Sequence, residues 1–258
     1  MTITIRSMVL LLLGVALAPA QDLMNSVVWM QRAIEYRAAT TQTYRSAEQA
    51  MLKALAMPNW TAAIEQSGEF AAKPPAVILD LDETVLDNSP YQARQIVDGT
   101  AFDGASWTAW VAEAKAELLP GAADFLNAAA FHGVRRIYVS NRVCTAAETD
   151  PTVVVLRRHG LLGRNDTLMC KASNEDSSDK SARRYRASAG HRVLLLIGDD
   201  IGDFFTVARD AKARDEALTR YQRWFGDRWF ILPNPAYGSW ERLYPDNASK
   251  KSALRLDR

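Results

Sequence analysis

Two carboxylates at alternate positions close a short apolar run in this chain, where Ala76-Val-Ile-Leu leads into Asp80-Leu81-Asp82-Glu83-Thr84. Aspartates at the end of a buried strand are costly unless a cation or hydrogen bonds compensate them. Such a pair can divide one reaction. An oxygen of Asp80 can attack an electrophilic phosphorus and carry the group covalently, which splits one hard displacement into two easier ones. Asp82 can protonate the departing oxygen and later take a proton from water. By itself, an Asp-x-Asp after a strand is explained equally well by a solvated turn or a helix cap.

Related signals close later apolar runs. One ends in Ser140-Asn141-Arg142, another in Gly198-Asp199-Asp200-Ile201-Gly202-Asp203, and Lys180 opens the helix before the latter. Asp80, Asp82 and Asp199 together make a hard oxygen site suited to Mg²⁺, which would screen an anionic substrate from an anionic nucleophile. Ser140, Asn141, Lys180 and the backbone N–H groups after Asp80 are placed to hold phosphoryl oxygens. Lys180 alone reads as a surface charge, and Asp200 as an exposed or supporting carboxylate. Four signals at successive strand ends in one chain argue for an assembled site.

Positioning these residues requires a parallel sheet, because open α/β sheets bind ligands at the carboxyl ends of their strands. Five runs read as strands: Ala76 to Asp80, Arg136 to Ser140, Asp166 to Met169, Val193 to Ile197 and Trp229 to Leu232. Helical patterns separate them, from Pro120 to Gly133, Asp150-Pro151 to Gly160, and Asp179 to Gly190. The fold class is therefore α/β with a central parallel sheet. From Leu23 to Leu55, Val27, Met30, Ile34, Ala38, Tyr44, Ala47, Met51 and Leu55 lie near one helical stripe, and Pro58 through Lys73-Pro74-Pro75 forms a short linker. Residues 88–119 are too long for a plain βα loop and read as a cap over the site. Within it, Trp110 and Phe102 are expected to pack the cap core. Trp107, with Tyr237 after the last strand, is expected to meet substrate. His132, His159 and His191 flank helix-ending glycines and read as capping or surface groups.

A length of 258 residues with 48% hydrophobic content supports a sizeable core. The 31 Lys+Arg against 30 Asp+Glu leave no broad basic field for a nucleic acid polymer or an anionic membrane. Residues 1–20, with Arg6, the apolar run from Met8 to Leu17 and Ala18-Pro19-Ala20, read as a signal peptide. The apolar run is too short for a permanent span and no cysteine follows the cleavage site, so no stable membrane anchor is expected and the product is periplasmic or secreted. After it come an N-terminal helical segment over 21–75, contributing to the cap, and a core over 76–258. Cys144 and Cys170 are compatible with one disulfide or with two buried thiols.

The runs from Asp80 to Tyr91, Tyr138 to Arg142, Ser178 to Lys180, Gly198 to Phe204 and Ile231 to Gly238 resemble the bacterial class C acid phosphatases of the haloacid dehalogenase superfamily. The resemblance also covers Trp29 through Tyr44. It implies a Rossmann-like core with a helical cap, one Mg²⁺, and hydrolysis of small phosphomonoesters, often 5′-nucleotides, at mildly acidic pH. It makes Asp80 the nucleophile, Asp82 the general acid/base that also offers its backbone carbonyl to the metal, Asp199 a further metal ligand and Asp203 a supporting carboxylate. It also suggests a homodimer. The best-known members are lipoproteins, whereas this chain lacks the acylated cysteine. Asp200 stands where an asparagine is common in relatives. A phosphotransferase of the same fold, or a non-catalytic storage or binding protein, are the alternative readings, and the presence of both Asp80 and Asp82 argues against the last.

Overall fold

The computed structural model describes residues 20–145, 147–208 and 210–256. The expected signal peptide lies outside the described residues except for Ala20. Among the described residues no helix is long and apolar enough to cross a membrane.

A five-stranded, all-parallel sheet forms the centre. Its strands are β1 (Pro75–Leu79), β4 (Arg135–Val143), β5 (Thr167–Lys171), β6 (Arg192–Gly198) and β7 (Trp229–Ile231), in the order β5-β4-β1-β6-β7. All seven residues of β6 are buried, as expected of a strand covered on both faces. Val77 and Leu79 point into one apolar layer with Tyr44, Phe125, Leu126 and Leu156, and Ala76 and Ile78 into a second with Ala187, Phe204 and Trp229. The five expected strands are present, and the order reverses about β1, which opens a crevice at the carboxyl ends of β1, β4 and β6.

The crossover helices are α5 (Ala122–Phe131), α6 (Pro151–Arg158) and α7 (Ser181–Gly190), with α8 (Ala211–Tyr221) between β6 and β7 and α9 (Asn247–Ala253) after β7. Asp150 accepts from Thr152 N at 2.9 Å and Pro151 opens α6, as the sequence predicts. His132, His159 and His191 are the C-cap residues of α5, α6 and α7.

The N-terminal segment departs from a single helix. It breaks at Ala33, whose ψ is 133°, into α1 (Ala20–Arg32) and α2 (Ile34–Leu55). Neither Gly nor Pro marks this break. Tertiary packing imposes it: Trp29 meets Tyr36 edge to face at 5.2 Å across the junction, α1 lies along the first cap helix, and α2 lies on the sheet. The buried stripe of α2 is rephased to Tyr36, Thr40, Tyr44, Ala47, Met51 and Ala54. Ile34, placed in the stripe by sequence, is 69% exposed, and Ala38 is also exposed. The expected linker is packed chain: Trp60 Nε1 donates to Leu194 O at 2.9 Å and Ala62 N to Val193 O at 2.8 Å.

The expected cap stands on a two-stranded antiparallel stem of β2 (Leu86–Asp87) and β3 (Glu117–Leu118), carrying α3 (Ser89–Asp98) and α4 (Gly104–Ala112). Trp110 is buried in it. Phe102 does not join the cap core as predicted. It is 66% exposed, because it sits on the connection between the αL stop at Gly99 and the Asp103 cap of α4.

Cys144 and Cys170 are disulfide-bonded with Cα atoms 5.5 Å apart, joining the ends of neighbouring β4 and β5. The bond closes a loop with a sequence separation of 26. Cross-linking a loop of this length restricts the unfolded chain by about 3 kcal/mol. Replacing both cysteines by serine is expected to lower Tm by roughly 6–12 °C in thermal melts. An unchanged melt under oxidising conditions overturns this expectation.

Candidate active site

Asp80 is the first residue beyond β1. Its N–H donates to Ile197 O of β6 at 3.0 Å, which extends the ladder one step past the strand and fixes the aspartate beside the end of β6. Asp199 is the first residue beyond β6. In the register Leu79 lies opposite Tyr138, so Ser140 projects from β4 two residues beyond that level. Neighbouring parallel strands thus bring residues 60 and 119 positions from Asp80 to one edge, which explains why three strand-end motifs converge.

Carboxylate oxygens of Asp80, Asp199 and Asp203 all lie within 4.8 Å of one another. Lys180, the N-cap of α7, reaches into this cluster: its Nζ lies 2.5 Å from Asp80 Oδ1 and 2.6 Å from Asp203 Oδ1. Asp203 Oδ2 accepts from Asp200 N at 3.0 Å. Asp199 accepts from Thr84 Oγ1 at 3.1 Å and from Asn234 Nδ2 at 2.8 Å. Burial pushes the Asp80 carboxyl up to about 7; Lys180 pulls against this, while Asp203 and Asp82 add to it. Burial, then Asp80 and Asp203, also holds the Asp199 carboxyl well above the usual range. Burial alone would lower the Lys180 ammonium, but Asp203 and Asp80 outweigh it and the net shift is upward. Three crowded carboxylates with a single buried cation among them are short of positive charge, and all-oxygen donors suit a hard divalent ion.

Asp82 faces a different environment. The turn after Asp80 is tight, with Val85 N and Leu86 N both donating to Leu81 O at 2.8 Å. Its carboxylate pairs with Arg142 at 2.7 Å and accepts from Asn88 Nδ2 at 2.8 Å. The sequence reading grouped Asp82 with Asp80 and Asp199 in a hard oxygen site. In the structure Asp203, not Asp82, completes the carboxylate cluster, because Arg142 and Asn88 already satisfy the Asp82 side chain.

Ser140 is fully buried, and its Oγ accepts from Arg142 N at 3.1 Å. Asn141 is engaged through its side chain, with Nδ2 donating to Ser178 O at 3.1 Å and Oδ1 accepting from Arg183 Nη2 at 2.6 Å. Arg183 also donates to Ser140 O, so the end of β4 is bolted to the first turn of α7. Asp200 caps the short 3-10 turn Ile201–Asp203 through Gly202 N at 2.7 Å and accepts from Ser239 N at 2.5 Å. Its charge is therefore spent on backbone N–H groups.

Trp107 packs edge to face on Tyr91 at 5.3 Å, with the Arg142 guanidinium 5.6 Å from its ring centroid. The Tyr237 hydroxyl donates to Glu83, and the residue stays 36% exposed. Glu83 is fully buried at φ 53°, with its carboxyl pushed well up by burial, then by Asp82 and Asp199. Sequence reading gave no task to Glu83, Thr84, Asn88, Arg142, Arg183 or Asn234. Most of them lie inside the runs that carried the resemblance, but each has a side-chain partner 35 to 154 residues away, and Asn88 reaches Asp82 and Trp110 as well. No local spacing reports such partners.

The fold and sequence of this chain match those of known proteins. The acid phosphatase family of the HAD superfamily, subfamily IIIB, matches residues 14–240. The chain is 32% identical to the class C acid phosphatase from Bacillus anthracis, with a TM-score of 0.76 over 93% of this chain and 98% of that one. For the same protein with tungstate bound, the values are 31%, 0.75, 93% and 98%. The chain belongs to the acid phosphatase family of HAD subfamily IIIB, and is a phosphomonoesterase with an α/β fold of the HAD type.

Proposed function

We propose that this phosphatase is exported, uses Mg²⁺, and hydrolyses small phosphomonoesters, 5′-nucleotides among them, through a phosphoryl group carried on Asp80. The observation that carries the reading is the cluster of Asp80, Asp199 and Asp203 around Lys180 at the carboxyl edge of the sheet. Asp80 and Asp199, with the backbone carbonyl of Asp82, would hold the ion, and Asp203 would support Lys180. When bound, the ion supplies positive charge that offsets the carboxylates and the phosphoryl oxygens.

The steps fall to the chain's own residues. An oxygen of Asp80 attacks phosphorus as the leaving oxygen departs with a proton from Asp82. Water then attacks the same phosphorus, gives its proton to Asp82 and frees Asp80. Lys180, Ser140 and the backbone N–H of Asn141 steady the phosphoryl oxygens. The Asn141 side chain is tied to Ser178 and Arg183, so it would support the cradle from outside. Tungstate, bound by the relative from Bacillus anthracis, is a tetrahedral oxyanion like phosphate, which supports an oxyanion site in this family. Trp107 and the exposed Tyr237 would line the way in. A homodimer, as the resemblance suggests, is part of the same proposal.

Chelation tests the reading with two readouts. EDTA is expected to abolish phosphate release from a panel of phosphomonoesters that includes 5′-nucleotides, and Mg²⁺ to restore it. Stability supplies the second. With its folded pKa raised to about 7, Asp80 favours the metal-free fold below the usual carboxylate pKa, and that contribution is lost as pH rises through about 7. Metal binding needs the ionised form. The gain in Tm on adding Mg²⁺ should therefore be larger near about pH 8 than near about pH 5. Full activity in EDTA, or a Tm gain that shrinks with rising pH, would refute the metal reading.

A further inference from the structure

Arg142 is buried near the end of β4, and its guanidinium grips Asp82 unevenly. Nε lies 3.0 Å from Oδ1 and 3.2 Å from Oδ2, and Nη2 lies 2.7 Å from Oδ1. Asn88 Nδ2 donates to the same Oδ1 at 2.8 Å. Oδ1 therefore collects three donors, while Oδ2 has one long, shared contact. An oxygen crowded by three N–H groups has no room for a proton of its own, so the proton of a neutral Asp82 belongs on Oδ2.

The clamp is held from the cap. Trp110 Nε1 donates to Asn88 Oδ1 at 2.8 Å, Arg142 Nη2 reaches that same oxygen at 3.3 Å, and the Trp107 ring lies against the guanidinium. A planar fork can hold one carboxylate oxygen while leaving the other open, which a lysine ammonium cannot reproduce.

We propose that Arg142 is a positioning residue for Asp82: with Asn88 it occupies Oδ1, reserves Oδ2 for proton exchange, and passes the placement of Trp107 and Trp110 in the cap to that oxygen. This rests on the proton-transfer role of Asp82. In the first step the Asp80 oxygen bonds to phosphorus, the bond from phosphorus to the leaving oxygen breaks, and the proton on Oδ2 goes to that oxygen. In the second step water bonds to phosphorus, its proton goes to Oδ2, and the bond between Asp80 and phosphorus breaks.

Leaving groups of different basicity test the proposal. The acidic phenol of p-nitrophenyl phosphate needs little protonation, whereas an alkyl phosphate such as glycerol phosphate needs a full proton transfer. The ratio of the two kcat/KM values, measured in one preparation, does not depend on the fraction folded. Arg142→Ala is expected to lower kcat/KM by about 100-fold for the alkyl ester and by less than about 10-fold for the aryl ester. Arg142→Lys should recover little of the ratio, and Trp107→Leu should shift it in the same direction by a smaller factor. Equal losses on both esters, or none, would overturn the role of Arg142. An unchanged ratio in Trp107→Leu would overturn the part given to the cap. Asp82→Asn separates the two levels. If it keeps full turnover of the alkyl ester, the proton role of Asp82 fails; if it loses that turnover while Arg142→Ala leaves the ratio unchanged, the positioning claim alone fails.

Discussion

Asp80→Asn is expected to lower kcat/KM for every phosphomonoester by a factor on the order of 10⁴ or more, a loss of at least about 5 kcal/mol of transition-state stabilisation. An amide oxygen is a poor nucleophile toward phosphorus, so the proposed covalent step would be lost while shape is kept. The fold should survive. Lys180 retains Asp203 at 2.6 Å, and the substitution removes a carboxylate that burial already disfavours as an anion. Wild-type enzyme quenched rapidly in acid should carry a phosphoryl group that hydroxylamine releases, since acyl phosphates react with that reagent. Asp80→Asn should carry none. A variant that keeps near wild-type turnover would remove Asp80 from the chemistry, and a phosphoprotein persisting in it would place the intermediate elsewhere.

Lys180→Met is expected to cost about 3–5 kcal/mol of stability in metal-free protein near neutral pH, because it leaves two buried carboxylates facing each other without their cation. The Lys180 side chain is 7% exposed, against 11% for Asp80 and 5% for Asp203, so water compensates little. Adding Asp203→Asn to the same chain removes one of the stranded charges and should restore a large part of the loss, a non-additivity expected of groups in direct contact. Urea unfolding of the two single variants and the double variant measures the coupling. A loss below about 1 kcal/mol would mean that the carboxylates neutralise themselves by protonation and that Lys180 is not the main counter-charge. Activity should fall as well, by roughly 100- to 1,000-fold, because in the proposed mechanism the same ammonium would steady the phosphoryl oxygens.

These effects trace back to motifs readable along the chain. A parallel sheet buried on both faces needs short, continuous apolar runs, and residues 76–80, 136–140, 193–197 and 229–232 have that form. Strand ends also determine where a crevice opens, so the carboxylates following those runs could be assigned to one site before any contact was known. The helix stops at Gly133 and Gly160, both at positive φ, were equally accessible to a linear reading, whereas the two cysteines are compatible with a disulfide or with separate thiols until β4 and β5 bring them together.

What the chain did not disclose depends on partners distant in sequence. The break at Ala33 has no local breaker; burying Tyr36 while laying α1 on the cap and α2 on the sheet forces it, and that rephases the helix stripe so that Ile34 faces solvent. Phe102 and Trp110 look alike as cap aromatics, yet Trp110 is buried and Phe102 is not, since loop and helix positions are separated by caps rather than by hydrophobicity. The sharpest division lies in Asp80-Leu81-Asp82. Residue type and spacing determined that two carboxylates stand at the end of β1. The tertiary structure decided their difference: Asp80 turns to Asp199, Asp203 and Lys180, where burial and like charge raise its carboxyl, while Asp82 turns to Arg142 and Asn88. Carboxylates two residues apart share a sequence context but not an electrostatic one, because each environment is built mainly from charged groups 60 to 123 positions away.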